Sequence, residues 1–378
     1  MHHTNTLQQQ LDRLHNLTHT NQIDWLADPH DLCAQHDLPP IDSPEWHTIA
    51  WFGPLDAWRQ LHGIPVSDIL INGIQRPVTL VAGGRYLAGQ PAPHPGWITF
   101  AQQQLAAHAG LATPQAASIW GEHCLLQGTT HNLRFVITRP PLTPQGPTIA
   151  VRILPQHWPS LEALVQQQRL SADLHDLLLH ALQREVTLLI AGTTGSGKTT
   201  LAAALMQAYG RHHRVVVIEE ARELPYLPDS LHMEVLQSGL SFGACVRTAL
   251  RQRPDRIVVG EVRGEEALAM LQAAATGHPG IGTIHAPDPA TALANLERMA
   301  CEAGEVPPDV VRRMLASKAI PLLVIQMQQC QISRIDELLP QGQAISGSSF
   351  VLNTIYEQLS DGRQIRRPVS GEWGDRRY

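Results

Sequence analysis

Gly192-Thr193-Thr194-Gly195-Ser196-Gly197-Lys198-Thr199 is the stretch whose residue types and spacing point most directly to chemistry. It fits the pattern G-x-x-x-x-G-K-[ST] without deviation. Glycines at 192, 195 and 197 free the backbone to wrap phosphate oxygens with its N–H groups. A helix beginning at Lys198 would aim its N-terminal dipole at the same anion. In such a pattern the Lys198 amine pairs with the β- and γ-phosphates, and the Thr199 hydroxyl reaches Mg²⁺. Thr200 lies in the same first turn, so Gly192 to Thr200 is the expected phosphate cradle. Lys198 and Lys318 are the only lysines among 28 basic residues. Base composition accounts for the scarcity. A compact ammonium inside a tight phosphate nest accounts for the one kept at 198, because arginine's broad fork does not replace it there.

Two apolar runs end in acids. Arg214-Val-Val-Val-Ile-Glu219-Glu220 ends in a pair, and Ile257-Val-Val-Gly-Glu261 ends in one. At the carboxyl edge of a parallel sheet such an acid can hold Mg²⁺, directly or through water, or orient an attacking water. Residue pattern prefers Glu261 and leaves the choice between Glu219 and Glu220 open. Arg247 and Arg251 share a helix face, and Arg253, Arg256 and Arg263 follow. Any of these arginines has two readings: meeting charge on a transferring phosphoryl group, or pairing with Asp255, Glu265 and Glu266. His285 ends the run Gly280–His285 and would reach the same edge, as a phosphate sensor or as an ordinary satisfied histidine.

These residues need elements to position them. The pattern predicts a helix over 161–182, a strand over 186–191 and a helix over 198–209. It continues with strand 214–219, helix 242–252, strand 256–261, helix 265–276, strand 280–285 and helix 289–300. Strands alternating with helices predict a parallel sheet covered on both faces. Between 66 and 154 the grammar differs. Strands are expected over 67–71, 77–82, 133–138 and 148–154, with a turn at Asn72-Gly73 and a helix over 99–109, an α+β pattern. Residues 155–160 read as a linker. The division is therefore an extension (1–45), an α+β domain (46–154), the linker, and an α/β domain (161–378). Residues 1–20 read as a frayed end or a surface helix, and seven of the eight tryptophans precede residue 160.

Composition excludes several classes. The 378 residues carry 43% hydrophobic residues, enough for packed cores, and a net charge of −6, which is not a broad nucleic-acid-binding surface. Five scattered cysteines form no C-x-x-C pair, so a disulfide framework is not expected. No apolar run reaches membrane-spanning length, and the N-terminus has no apolar signal core, so a cytosolic protein is expected. His30-x-x-Cys33-x-x-His36 lacks a fourth metal ligand, and Glu122-His123-Cys124 has no catalytic partner spacing. The arginine-rich tail (Arg363, Arg366, Arg367, Arg376, Arg377) reads as solvated.

Four ordered motifs resemble those of the traffic ATPases of type II and type IV secretion, most of all the conjugal-transfer and tight-adherence-pilus members. The resemblance spans roughly residues 53–340. Val66-Ser-Asp-Ile-Leu-Ile-Asn72-Gly73 is similar to the family's N-terminal signature, and the P-loop follows. Ile218-Glu-Glu-Ala-Arg-Glu223-Leu224 resembles its acidic box, with Glu220 where Asp is usual. Arg253–Gly264 resembles its Walker B run, and Thr276–Ala286 its histidine box, one residue short between His278 and His285. A four-cysteine zinc element and a retraction-motor motif are both absent.

The resemblance implies a PAS-like N-terminal domain, a C-terminal RecA-like P-loop domain, and a homohexamer on the cytoplasmic side of the inner membrane, working on a membrane partner. ATP would bind between the two domains. Glu219, Glu220, Glu223 and Glu261 would serve Mg²⁺ and the attacking water, and His285 would sense nucleotide. Arg247 and Arg263 are candidate charge-stabilising groups, and Arg134 and Arg152 are the matched N-terminal phosphate contacts. No sequence-specific nucleic-acid contact is expected. Two other classes stay in view: a nucleic-acid translocase or packaging motor on the same core, and a non-hydrolysing assembly subunit.

Overall fold

The computed structural model describes residues 34–36, 66–73, 76–82, 85–91, 95–111, 123–130, 133–155, 157–211, 213–340, 350–359 and 363–369. Most of the expected N-terminal extension lies outside these residues. So do His30, Cys33, Glu122, Arg376 and Arg377, as well as Trp25, Trp46, Trp51, Trp58, Trp120 and Trp373. Among the described residues no group of His, Cys, Asp and Glu could hold a metal ion, and no helix is long and apolar enough to cross a membrane. The chain divides into two compact units, 1–156 and 157–378.

In the first unit β1 (Val66–Asn72), β2 (Pro77–Ala82), β3 (Arg85–Pro91), β4 (Leu125–Thr130), β5 (Leu133–Thr138) and β6 (Thr148–Ile153) form one sheet, ordered β3-β2-β1-β6-β5-β4. Every pairing is antiparallel. Alternation sends Ile69, Ile71, Leu133, Phe135, Ile149 and Val151 to a buried face. Helix α1 (Pro95–His108) packs there through Ile98, Ala101 and Leu105. Its buried Gln102 donates Nε2–H to the carbonyls of Thr138 (3.0 Å) and Thr148 (2.9 Å), pinning the helix to two strands. β3 and β4 were not expected from sequence; their mixed residues carry little apolar alternation.

The second unit opens with α2 (Leu161–Gln166) and α3 (Ala172–Gln183) in place of the single helix expected over 161–182. Gln168 takes a left-handed turn (φ 58°), and Ser171 then caps α3 by accepting from Leu174 N–H. A capping serine competes better for that N–H than helix continuation does. The chain continues through β7 (Thr187–Gly192), α4 (Lys198–Gly210), β8 (Val215–Glu219), β9 (Leu231–Glu234), α5 (Val235–Ser238), α6 (Phe242–Ala249) with a 3₁₀ turn over Leu250–Gln252, β10 (Arg256–Val262) and α7 (Glu266–Ala275). It ends with β11 (Gly280–His285), α8 (Pro289–Gly304), α9 (Pro308–Leu315), β12 (Leu322–Gln328), β13 (Gln331–Leu338), β14 (Leu352–Gln358) and β15 (Gln364–Arg366).

The sheet order is β15-β14-β13-β12-β7-β11-β10-β8-β9. The strands from β12 to β9 pair in parallel. β13, β14 and β15 extend the sheet antiparallel, so it is mixed and not wholly parallel as expected. The physical reason is the tight turn at Gln329-Cys330, both at positive φ (50° and 62°), which returns the chain as a hairpin instead of a helical crossover. Parallel strands carry helices on both faces. Leu188 and Ile190 of β7 join the core under α2, α3 and α4, while Leu189 and Ala191 join the core under α6, α7, α8 and α9.

Candidate functional site

The carboxyl ends of β7, β11, β10 and β8 lie side by side, and each delivers one piece of a site. β7 ends in Gly192, the cross-strand partner of His285 at the end of β11. β10 pairs with β11 through Val259↔Gly282, then bulges before Val262. The bulge contains Glu261 and re-aims its side chain. His285 Nε2 lies 3.1 Å from Glu261 Oε1, and Arg263 donates to Glu261 Oε2. Arg263 also reaches Glu220 at 3.3 Å. The hydrogen bond to Glu261, with Glu220 and Glu223 adding charge, holds the Arg263 guanidinium above its ordinary pKa.

Gly192, Gly195 and Gly197 all have positive φ (155°, 75° and 96°). A Cβ on Gly192 would meet Ser196 Oγ and come within 2.7 Å of the Met327 carbonyl, so only glycine fits beside β12. Gly195 has open space where a Cβ would stand, leaving the loop crest clear for an incoming anion. Gly197 precedes α4 without any side-chain cap, so the first N–H groups of that helix are left for an outside acceptor. Lys198 is buried (7% exposed), and its Nζ donates to the carbonyls of Gly192 (3.0 Å) and Thr193 (2.9 Å). Burial lowers the Lys198 pKa, and Glu261 opposes that shift. His285 is lowered too, first by burial and then by Lys198, against the pull of Glu261. Thr193, Thr194 and Gly195 are exposed, Ser196 is buried, and Thr199 and Thr200 are half-buried. These features suit a triphosphate. Thr199 and Glu261 offer one hydroxyl and one carboxylate, a donor set suited to Mg²⁺ that keeps most of its waters.

The two acids after β8 have different surroundings. Glu219 is 4% exposed, and its Oε1 accepts from the N–H groups of Glu223 and Leu224, both at 3.0 Å. It ties down the loop. Glu220 is half-exposed and faces Arg263, and Glu223 lies close enough to act on the same guanidinium. Residue pattern could not separate these acids, because the difference is burial.

Other expectations distribute unevenly. Arg247 is exposed on α6, and among the described residues no hydrogen bond or ion pair links it to the Glu261 group. Arg256, counted with the nearby arginines, is fully buried at the start of β10, the opposite end of the strand. It donates to the carbonyls of Val186 (2.8 Å), Leu182 (3.1 Å) and Gly280 (3.3 Å) and sits over the Tyr209 ring. Arg134 and Arg152 belong to the first unit, where they are direct cross-strand partners; Arg152 bonds Asp68 Oδ1 at 3.0 Å.

Sequence reasoning named Glu266 only as a surface partner for an arginine and missed its role. It is buried, and its Oε1 accepts from the N–H groups of Arg263 and of Gly264 (2.8 Å), fixing the backbone that carries Arg263. An acid just after Gly264 at a helix start was the available signal. It also missed Cys330, whose N–H donates to Ser196 O at 3.1 Å, bracing the P-loop from the hairpin turn.

Comparison with known proteins adds the family. A Mycobacterium tuberculosis protein bearing a conjugal-transfer name is 36% identical over 180 residues, 46% of this chain and 51% of that protein. The type IV secretion system protein PtlH of Bordetella pertussis is 37% identical over 161 residues, 40% of this chain and 48% of that protein. The chain thus spans about half the length of the curated relatives it matches. The crystal structure of the pilus retraction motor PilT with bound ADP has a TM-score of 0.54 at 19% identity, covering 84% of this chain and 83% of that one, a likeness of fold. The family model described as type II/IV secretion system protein matches residues 114–360, most of the chain, and the chain belongs to that family.

Proposed function

We propose that the chain is a Mg²⁺-dependent ATPase powering a secretion, conjugation or pilus-assembly machine. The observation that carries this reading is the meeting of Lys198, Glu261, Arg263 and His285 around the P-loop, at the carboxyl edge of one sheet. ATP with Mg²⁺, when bound, supplies the phosphoanhydride and part of the countercharge. The open Gly195 crest and the uncapped start of α4 receive the phosphates. Lys198 exchanges its two carbonyl partners for phosphate oxygens, which repay its burial better than neutral acceptors do. Glu261 orients the water, held between Arg263 and His285 in the meantime. Glu220 and Glu223 balance Arg263, so that its guanidinium can turn toward developing charge.

Family membership supports a homohexamer docked on an inner-membrane partner from the cytoplasmic side. ATP binding by titration and phosphate release test the core of this reading. Glu261→Gln should bind ATP and not turn it over. Wild-type protein with intact Lys198 that binds no ATP would sink it. Pull-down from membranes with the Glu261→Gln trap identifies the partner.

A further inference from the structure

The loop that carries Glu220 and Glu223 rests on a buried histidine that the proposed reaction does not use. β8 and β9 run parallel with Val217 opposite His232 and Glu219 opposite Glu234. His232 and Glu219 are thus diagonal neighbours on one face of the sheet. The His232 side chain is 4% exposed, and its Nδ1 lies 3.7 Å from Glu219 Oε2. Its ring meets Tyr226 edge-on, with centroids 4.5 Å apart. Its Nε2 is 3.2 Å from Ser230 Oγ. That hydroxyl already donates to Leu227 O (2.9 Å) and accepts from Leu227 N–H (2.9 Å). The carboxylate beside Nδ1 favours the proton on that nitrogen, and Nε2 then accepts from the Ser230 hydroxyl, whose one proton is shared between Nε2 and Leu227 O. The Nδ1–H, otherwise without a hydrogen-bond partner, then faces the Glu219 carboxylate.

One side chain therefore connects both ends of the loop. Through Nε2 it holds the Leu227–Ser230 turn, and through Nδ1 it meets the carboxylate that binds Glu223 and Leu224. Gly260 closes the other side: a Cβ there would stand 2.8 Å from Glu219 Cγ.

We propose that His232 is a positioning residue, which fixes Glu219 and through it the backbone that presents Glu220 and Glu223 to Arg263. The inference rests on the ATPase reading for its kinetic consequence only. The test is His232→Phe, which keeps ring bulk and removes both nitrogens, with Ser230→Ala as a milder second variant. Amide exchange at Glu223 and Leu224 should quicken about tenfold in His232→Phe, with the amides of β7 unchanged. The kcat should fall several-fold at constant KM for ATP. Ser230→Ala should move both quantities in the same direction by less, and it decides the matter if His232→Phe does not fold. Unchanged exchange at both amides, or faster exchange with wild-type kcat, overturns the proposal. Should the wild type prove unable to hydrolyse ATP, the ATPase reading fails and the exchange measurement alone decides the role of His232.

Discussion

His285 Nε2 stands 3.1 Å from Glu261 Oε1, while His285 is also the cross-strand partner of Gly192. The last residue of one strand therefore touches the first glycine of the P-loop through the backbone and the bulged acid through its side chain. Any change in the charge of His285 acts on both.

That coupling has a pH signature. Burial and the nearby Lys198 depress His285 below its ordinary value of 6.5, although Glu261 resists. Between the depressed value and 6.5 the unfolded chain holds more protons at this site than the folded one. Stability should therefore rise with pH through that window and be lost as pH falls below 6.5. His285→Gln should flatten the difference. Melting temperatures of both proteins, taken from about pH 8 to about pH 5, provide the check; superimposable profiles would remove His285 as the cause.

The two lysines make opposite predictions. Lys198 is buried and donates to the Gly192 and Thr193 carbonyls, a pairing of a compact ammonium that a planar guanidinium fork does not reproduce. Lys318 is exposed at the turn before β12. Lys198→Arg should abolish phosphate release, and Lys318→Arg should leave it within about twofold, as surface changes usually do. Comparable losses in both would undo the assignment.

How much of this could be read from residues alone follows from what each feature depends on. Gly192 to Thr199 is a local pattern, and local patterns carry their own geometry: the positive φ at 195 and 197 is what glycine at those positions announces. Glu261 and His285 were legible because each ends an apolar run, and parallel pairing brings such ends together. The antiparallel strands β13 to β15 were not read, since a hairpin turn at Gln329-Cys330 has no glycine to mark it. The roles of Glu219, Glu266 and Arg256 depend on burial and on partners up to 74 residues away (Arg256 to Leu182), information that no window contains.

The split between the acids after β8 can be measured. Glu219 holds two backbone N–H groups from a buried position, whereas Glu220 faces Arg263 from a half-exposed one. Glu219→Ala should cost about 2 kcal/mol of stability, because one buried and one half-buried backbone donor lose their acceptor. Glu220→Gln should leave the unfolding midpoint in place and cut kcat. Urea titration together with phosphate release separates the two outcomes. A Glu220→Gln enzyme with full kcat would return the catalytic assignment to Glu219 or Glu223.

Arg256 shows that an arginine in a row of arginines near a phosphate site can be wholly structural. Its guanidinium is fully buried, and burial pushes its pKa down to about 10, with Tyr209 opposing. Its charge is met by the carbonyl dipole of Leu182 at the end of α3, by the Val186 and Gly280 carbonyls, and by the Tyr209 ring at 4.6 Å. Arg256→Met would fill the volume and take the guanidinium donors from Val186 O, Leu182 O and Gly280 O, of which Leu182 O keeps a backbone donor. Those carbonyls are held by their own strand and helix and cannot turn to water. The expected loss is about 2–3 kcal/mol, read as a lower urea midpoint at constant slope. Arg256→Lys should fall in between, since one ammonium can serve a carbonyl but cannot span the fork or lie flat on the ring. Turnover per folded molecule should stay near wild type in both variants, because Arg256 and Glu261 lie at opposite ends of β10. A loss of kcat at full stability would instead put Arg256 in the reaction.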